Sequence, residues 1–325
     1  MSRVIAVPLA IILSSFLLLG QDTSKRTDLQ KKDNKDFTVV VDTTLIQVPV
    51  SVFDKDGRPI NSLTQDSFQV FEDKTPQKIT VFKHEDVPTS LGLVIDNSGS
   101  MRNKRERVNS AALTFVRESN PEDETFIVNF DDSPYLDQDF TGSIGDLMDA
   151  LDNIDTRGET ALYDAVSLSL SKVIKDGKRD SKALLVVTDG EDNVSKYKYE
   201  QVLKQLKDAK VTVYTIGLLE ENDQRGGLFH PSPAKHAKDV LVQFAEATGG
   251  VAYFPKTIDE VENICKEIAH DLRNRYTIGY TPSNTKLDGT FRKIDVVVSQ
   301  PKAIASKINY RWKPGYSAPT AAPER

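Results

Sequence analysis

The chain has 325 residues, of which 38% are hydrophobic and 28% charged, and its formal net charge is −6. This length accommodates one sizeable α/β domain and a smaller one. Lysines and arginines are dispersed among acidic residues, which argues against nucleic acid as the main partner. The single cysteine, Cys265, excludes an intrachain disulfide and a multi-cysteine metal site, and its place on an apolar helical stripe predicts a buried thiol.

The first 20 residues differ in composition from the rest of the chain. One positive side chain, Arg3, precedes an uncharged stretch rich in Leu, Ile and Ala at 4–20. This pattern is typical of a secretory signal peptide. The alternative is an uncleaved membrane anchor, for which the stretch is marginally long enough. Either interpretation predicts an exported protein, periplasmic or secreted, and the polar residues 21–36 are then a flexible linker.

Two segments with a period of two flank the centre of the chain. Residues 37–88 are predicted to be an N-terminal β-rich segment, and residues 275–316 a C-terminal one. Three strands alone make a thin domain, so we expect the second segment to pair with the first in one β-sandwich. The alternation is clearest at Ile46, Val48, Val50 and Val52, and at Tyr276, Ile278 and Tyr280. The Pro- and Ala-rich tail, 317–325, is predicted to be disordered.

Between these segments, residues 89–274 alternate short apolar runs with helical stripes, in which apolar residues recur at intervals of three and four positions. Continuous apolar runs are typical of parallel strands covered on both faces. They lie at 91–95, 126–130, 183–187 and 211–216, with a shorter one at 251–254. The stripes begin near Val108, Leu162, Val202, Val240 and Ile258. Repeated βα units predict an α/β fold with a doubly wound, mostly parallel sheet.

The run Leu91–Ile95 ends in a group of oxygen-bearing side chains. Asp96, Ser98 and Ser100 follow the strand at alternate positions, just before a predicted helix. Two more oxygen donors, Thr160 and Asp189, lie in loops expected at the same edge of the sheet, where ligands bind in doubly wound folds. Carboxylate and hydroxyl oxygens favour a hard divalent cation, with Mg²⁺ ahead of Mn²⁺ or Ca²⁺ here. The alternative is that the serines cap a helix and Asp189 ends a strand in a turn.

These five residues carry a resemblance to the von Willebrand factor A domain and its metal-ion-dependent adhesion site, or MIDAS. The D-x-S-x-S pattern, the downstream threonine and the T-D-G aspartate all match, and the likeness covers roughly residues 90–273. The flanking β-rich segments look like those of exported bacterial proteins that embed such a domain. The resemblance implies that the hydroxyls bind the cation directly, that the aspartates often act through water, and that a partner's Asp or Glu completes the coordination.

A second set of residues is predicted to contact the partner. The long connection 219–238 has no apolar period and is expected at the metal edge, so we hypothesise that it shapes partner specificity. The candidates are Asn97, Glu159, Glu191, Arg225, Phe229 and His230. The basic residues Arg102, Lys104, Arg105 and Arg107 either steer an acidic ligand or form a solvated helix face.

The sequence therefore predicts an exported, non-enzymatic module that binds a protein through a metal ion. A membrane is predicted to be involved only through an uncleaved N-terminal anchor. One alternative is an envelope component in which the metal only stabilises the fold. Another is a hydrolase with Ser98 or Ser100 as nucleophile, although the chain has no G-x-S-x-G or H-E-x-x-H arrangement.

Overall fold

The structure is a computed structural model that describes residues 45–84, 86–152, 156–219, 232–299 and 307–321. The predicted signal peptide or anchor and the predicted linker lie outside these residues. The strands are β1 (Ile46–Phe53), β2 (Phe68–Glu72), β3 (Thr75–Gln77), β4 (Ile79–His84), β5 (Thr89–Asp96), β6 (Glu124–Phe130), β7 (Pro134–Thr141), β8 (Ser181–Thr188), β9 (Thr212–Gly217), β10 (Ala252–Tyr253), β11 (Tyr276–Tyr280), β12 (Phe291–Val298), β13 (Asn309–Trp312) and β14 (Gly315–Ser317).

The α-helices of the described residues alternate with the central strands. They are α1 (Arg105–Glu118), α2 (Ile144–Asp152), α3 (Leu162–Asp176), α4 (Tyr199–Asp208), α5 (Pro233–Glu246) and α6 (Glu260–Arg273). A short 3-10 turn, Gly99–Asn103, precedes α1. Among the described helices, none combines the length and apolar composition needed to span a membrane.

The central sheet has the strand order β10-β9-β8-β5-β6-β7 in the described part of the chain. Five of its strands run parallel, and β7 pairs antiparallel with β6 at the edge. The strand order reverses beside β5, and this places the carboxyl end of β5 where doubly wound folds bind ligands. The predicted α/β fold with a mostly parallel, doubly wound sheet is confirmed.

Both faces of this sheet are covered by helices, which explains why its strands are almost uniformly apolar. On one face, Leu93 and Ile95 pack with residues of α1, α2 and α6. On the other face, Val94 and Val128 pack with residues of α3, α4 and α5. Cys265 of α6 is a buried free thiol in the first of these cores, as predicted, and burial raises its pKa to about 12.

Two four-stranded antiparallel sheets flank the central sheet, and both combine strands from the two ends of the described chain. Their strand orders are β13-β1-β11-β4 and β14-β12-β2-β3. Alternate side chains from both sheets, including Val48, Val70, Ile278 and Val296, form one shared core. The two terminal segments thus build a β-sandwich together, because neither alone has enough strands to cover its apolar face. The exact domain boundaries proposed above stay predictions.

Three local expectations are corrected. The apolar pattern predicts no strand or helix between Phe130 and Arg157, but this stretch contains β7 and α2. The connection after β9 is shorter than predicted, because α5 already begins at Pro233, where the Ser232 hydroxyl caps the helix and proline starts it. The tail was predicted to be disordered from residue 317, but residues 318–321 bond to the backbone of residues 287–290, and Ala318 is buried. A Pro- and Ala-rich composition does not prevent such pairing on an edge strand.

Candidate metal-ion site

Asp96 is the last residue of β5, a strand that is buried along its whole length. Its Oδ1 accepts a hydrogen bond from the backbone N–H of Ser98 (2.8 Å), and its Oδ2 accepts one from the Thr188 hydroxyl (2.5 Å). Burial raises the pKa of Asp96 from 3.8 to about 6, because desolvation outweighs the hydrogen bonds from Thr188 and Ser98. The carboxylate is thus held in one orientation, in surroundings where a nearby cation would stabilise its charged form.

The loops that follow β5 and β8 meet at this edge of the sheet. The hydroxyl oxygens of Ser98 and Ser100 lie 3.1 Å apart, and the Ser100 hydroxyl donates a hydrogen bond to Oδ1 of Asp189 (2.7 Å). Ser98 is buried and Ser100 is exposed. Four of the five predicted ligands therefore form one connected group that opens to solvent at Ser100.

Thr160 reaches the same place from the loop that precedes α3. Its backbone N–H donates to Oδ1 of Asn193 (2.9 Å), and its carbonyl accepts from the N–H of Asn193 (3.0 Å). A Cβ added to Gly190 would lie 3.4 Å from the Thr160 hydroxyl oxygen. The hydroxyl of Thr160 therefore lies against the Asp189–Gly190 turn.

Backbone hydrogen bonds join the loop after β5 to the loop before α3. The Arg157 N–H donates to the Asn97 carbonyl (3.0 Å), and the Gly99 N–H donates to the Gly158 carbonyl (3.3 Å). Gly158 has a φ of +75°, and a Cβ there would lie 2.8 Å from the Asp132 carboxylate, so the tight turn requires glycine. The separation of the predicted ligands is thus set largely by the backbone.

Residues 91–191 match the family model of the von Willebrand factor type A domain. The chain contains a von Willebrand factor type A (VWA) domain. A comparison with curated protein sequences finds no match. The chain nevertheless resembles several solved structures.

One of these is an aerotolerance-related membrane protein from Bacteroides fragilis, which is 14% identical over 56% of this chain and 98% of its own, with a TM-score of 0.44. A von Willebrand factor type A structure from Catenulispora acidiphila is 10% identical over 80% of this chain and 71% of its own, with a TM-score of 0.47. A third is proximal thread matrix protein 1 from the mussel byssus, with a zinc-occupied MIDAS motif; it is 18% identical over 62% of this chain and 49% of its own, with a TM-score of 0.45.

The donor set of this VWA domain fits a hard divalent cation. The Ser100 hydroxyl donates a hydrogen bond to Asp189, so the lone pairs of its oxygen remain available to a cation. Within the described residues, no group of three or more His, Cys, Asp or Glu side chains is arranged to hold a metal. The oxygen donors brought together at this edge are hydroxyl groups and the two carboxylates. Such all-oxygen sets suit Mg²⁺, Mn²⁺ or Ca²⁺.

Two of the basic residues that follow the motif have roles that the sequence did not reveal. The Lys104 ammonium lies 2.7 Å from Oδ2 of Asp189. Arg105 was predicted to be on a solvated face or to steer a ligand, but it is buried, and it donates to the Asp96 carbonyl (3.3 Å) and to Oδ1 of Asn129 (2.7 Å). Burial lowers the pKa of Arg105 to about 10. Its guanidinium supports the loop from inside the domain.

The predicted partner-binding residues are placed in different ways. Asn97 is fully buried and donates to the Tyr135 hydroxyl (3.0 Å), so the predicted partner contact is wrong and its side chain supports the loop. Glu159 is exposed beside Thr160. Glu191 is partly exposed, and its carboxylate lies in hydrogen-bond contact with Nδ1 of His236 of α5. The remaining three candidates, Arg225, Phe229 and His230, lie outside the described residues.

Two further residues of the segment 188–192 hold the ligand loops in place. Thr188 belongs to the Thr188-Asp189-Gly190 motif, but its contact with Asp96 depends on the register between β5 and β8. Asp192 accepts the Tyr163 N–H (3.1 Å) near the start of α3. The run of acidic residues in the motif indicates Asp192 as a candidate functional residue. Nothing in the sequence indicates that Asp192 accepts a hydrogen bond from Tyr163.

The surroundings of the two serines differ from those of a hydrolase nucleophile. Among the described residues, the Ser98 and Ser100 hydroxyls contact each other and carboxylates. The described histidines have other surroundings: His84 packs against Tyr276, 4.5 Å between ring centroids, His236 contacts Glu191, and His270 is exposed on α6. Among the described residues, no histidine forms a hydrogen bond with either serine hydroxyl, whereas an activated serine is hydrogen-bonded to a base.

Proposed function

We propose that this chain is an exported, non-enzymatic module that binds a protein partner through a divalent cation. Asp96, Ser98, Ser100, Thr160 and Asp189 hold the cation, which is Mg²⁺ in preference to Mn²⁺ or Ca²⁺. A carboxylate of a partner protein, from Asp or Glu, completes the coordination. The proposed export depends on the apolar residues 4–20 of the sequence.

The observation that carries the proposal is the connection between Ser100 and Asp189. These two residues come from loops 89 positions apart, yet the hydroxyl of one donates to the carboxylate of the other. The hydroxyl protons of Ser100 and Thr188 are directed into carboxylates, and Ser100 faces solvent. Such an arrangement presents oxygen lone pairs to a cation and leaves one side accessible to a ligand.

The test of metal binding is calorimetric titration of the full chain with Mg²⁺ and Mn²⁺. We expect saturable binding at one site, abolished by Asp96→Ala and by Asp189→Ala. Glu122→Ala is the matched control, because it removes an exposed carboxylate in the turn before β6 and should leave binding unchanged. Failure of the wild-type chain to bind either ion would reject the proposal.

The test of partner binding uses the immobilised wild-type chain and its Asp96→Ala variant in envelope extract. We expect proteins that are retained in Mg²⁺, released by EDTA and absent from the variant. A metal that raises the unfolding temperature without metal-dependent retention would instead support a purely structural role. Turnover of ester or peptide substrates, lost on Ser98→Ala, would support the hydrolase alternative.

A further inference from the structure

Lys104 is fixed at the mouth of the candidate site by the turn that carries it. Its backbone N–H donates to the Met101 carbonyl (2.8 Å), and its carbonyl accepts the first helical bond of α1 from Val108 (3.1 Å). From this position the ammonium lies 2.7 Å from Oδ2 of Asp189, with the lysine side chain 23% exposed and the aspartate side chain 1% exposed. The pair is therefore largely enclosed at the same loop edge as Ser100.

The four oxygens of the two candidate carboxylates are all engaged within the chain. Both oxygens of Asp96 and Oδ1 of Asp189 accept from neutral donors, namely the Ser98 N–H and the Thr188 and Ser100 hydroxyls. Oδ2 of Asp189 is engaged by the cationic Lys104. Among the described residues, Lys104 is the cation in hydrogen-bond contact with these carboxylates. The buried Arg105 contacts the carbonyl of Asp96 instead.

The charges at this site have a simple consequence when a divalent cation is bound. Two carboxylates balance the two positive charges of the ion, and the Lys104 ammonium then leaves one positive charge in excess. A partner carboxylate would remove that excess. Without Lys104, the cation and the two carboxylates together would be neutral, and they would attract an anionic ligand less strongly.

We propose that Lys104 is a positioning residue that weakens metal binding by pairing with Asp189 and strengthens the binding of a carboxylate ligand to the loaded site. This inference rests on the proposed function. It adds that one side chain sets both affinities, in opposite directions. Repulsion between a unit charge and a divalent cation at the same loop edge, with strong screening by water, is expected to change the affinity by a factor on the order of tenfold.

The experiment compares the wild-type full chain with Lys104→Met and Lys104→Arg. Methionine keeps an unbranched side chain of similar length without charge, and arginine keeps the charge. Free Mn²⁺ is measured by electron paramagnetic resonance, and acetate serves as the carboxylate probe on the Mn²⁺-loaded protein. Unfolding temperatures without metal show whether each variant keeps the fold.

We expect Lys104→Met to bind Mn²⁺ about tenfold more tightly and acetate several-fold more weakly than the wild type. The affinities of Lys104→Arg for Mn²⁺ and acetate should stay within about twofold of those of the wild type. High salt should reduce the differences in affinity between Lys104→Met and the wild type. Equal Mn²⁺ affinity of the wild type and Lys104→Met would overturn the role of Lys104 while leaving the proposed function intact. Weaker Mn²⁺ binding by both variants would assign Lys104 a structural role and overturn the inference. Failure of the wild type to bind Mn²⁺ would overturn both.

Discussion

The Thr188 hydroxyl donates a hydrogen bond to Oδ2 of Asp96 across two neighbouring parallel strands, at 2.5 Å. Both residues are fully buried, and both stand at the carboxyl ends of their strands. The register that places Ile95 opposite Val187 brings the two side chains together. This contact orients the carboxylate of Asp96, which we propose as one of the metal ligands.

Replacing Thr188 by valine tests the value of this contact. Valine has nearly the same shape but no hydroxyl, so Asp96 loses a donor in a buried position. We expect cation affinity to fall by about 10- to 100-fold and the free energy of unfolding to fall by about 1–3 kcal/mol. Mn²⁺ titration and urea denaturation measure the two effects. Thr188→Ser keeps the hydroxyl and should retain most of the affinity; equal loss in both variants would contradict the assignment.

The pKa of Asp96 predicts a pH dependence of stability in the absence of divalent cations. The pKa is raised from 3.8 to about 6 in the folded protein, so the folded state binds the proton more tightly than the unfolded state does. The resulting stabilisation is fully present below about pH 4 and is lost as the pH rises through about 6. The loss amounts to about 3 kcal/mol.

Denaturation in EDTA at several pH values measures this loss. Asp96→Asn should remove the part of the dependence between pH 4 and 6 that Asp96 contributes, because the amide does not titrate. Burial also raises the pKa of Asp123 to about 6, and its contribution should be the same in both proteins. Mg²⁺ added above pH 6 should restore the stability of the wild type but not that of the variant. A wild-type profile that is flat over this range in EDTA would contradict the prediction.

The buried Asp271 of α6 forms an ion pair with the partly exposed Arg311 of β13, and this pair joins α6 to the β-sandwich. Burial alone raises the pKa of Asp271, but the guanidinium groups of Arg275 and Arg311 outweigh it and hold the pKa below its usual value. Removing Arg311 leaves the carboxylate only partly compensated. We expect Arg311→Ala to lower the free energy of unfolding by about 2–4 kcal/mol.

Chemical denaturation of this variant is compared with that of Arg107→Ala. Arg107 forms an exposed pair with Asp259, so its loss should change stability by about 0.5 kcal/mol or less. A similar loss in the free energy of unfolding in both variants would contradict the larger contribution expected from the Asp271–Arg311 pair.

Gly92 lies in the middle of β5, where neighbouring side chains leave no room for a methyl group. A Cβ at this position would lie 2.5 Å from Cδ2 of Leu184 and would also overlap the ring of Phe126. We expect Gly92→Ala to destabilise the fold by about 1–3 kcal/mol through overpacking. Gly142→Ala is the matched control, since its nearest atom would be the Asp123 carbonyl oxygen at 3.7 Å. Thermal unfolding of both variants checks the prediction.

The sequence by itself determined the kind of fold and the candidate ligands. Continuous apolar runs such as Leu91–Ile95 indicate strands buried on both faces, and the helical stripes between them indicate crossover helices. The parallel sheet therefore follows from local patterns. The alternation at Val48 and Ile278 likewise reports strands with one buried face. The motif residues stand at the ends of predicted strands and helices, and this is enough to bring them to one edge of the sheet.

Only the tertiary structure decided which side chains contact each other at that edge. The pairing of Thr188 with Asp96 depends on strand register, and that of Lys104 with Asp189 depends on the path of two loops 85 positions apart. Arg105 looked like a surface residue because its neighbours are charged, yet it is buried against Asn129. Local sequence patterns indicate how exposed to solvent a position is. The three-dimensional course of the backbone determines which partner a polar side chain contacts.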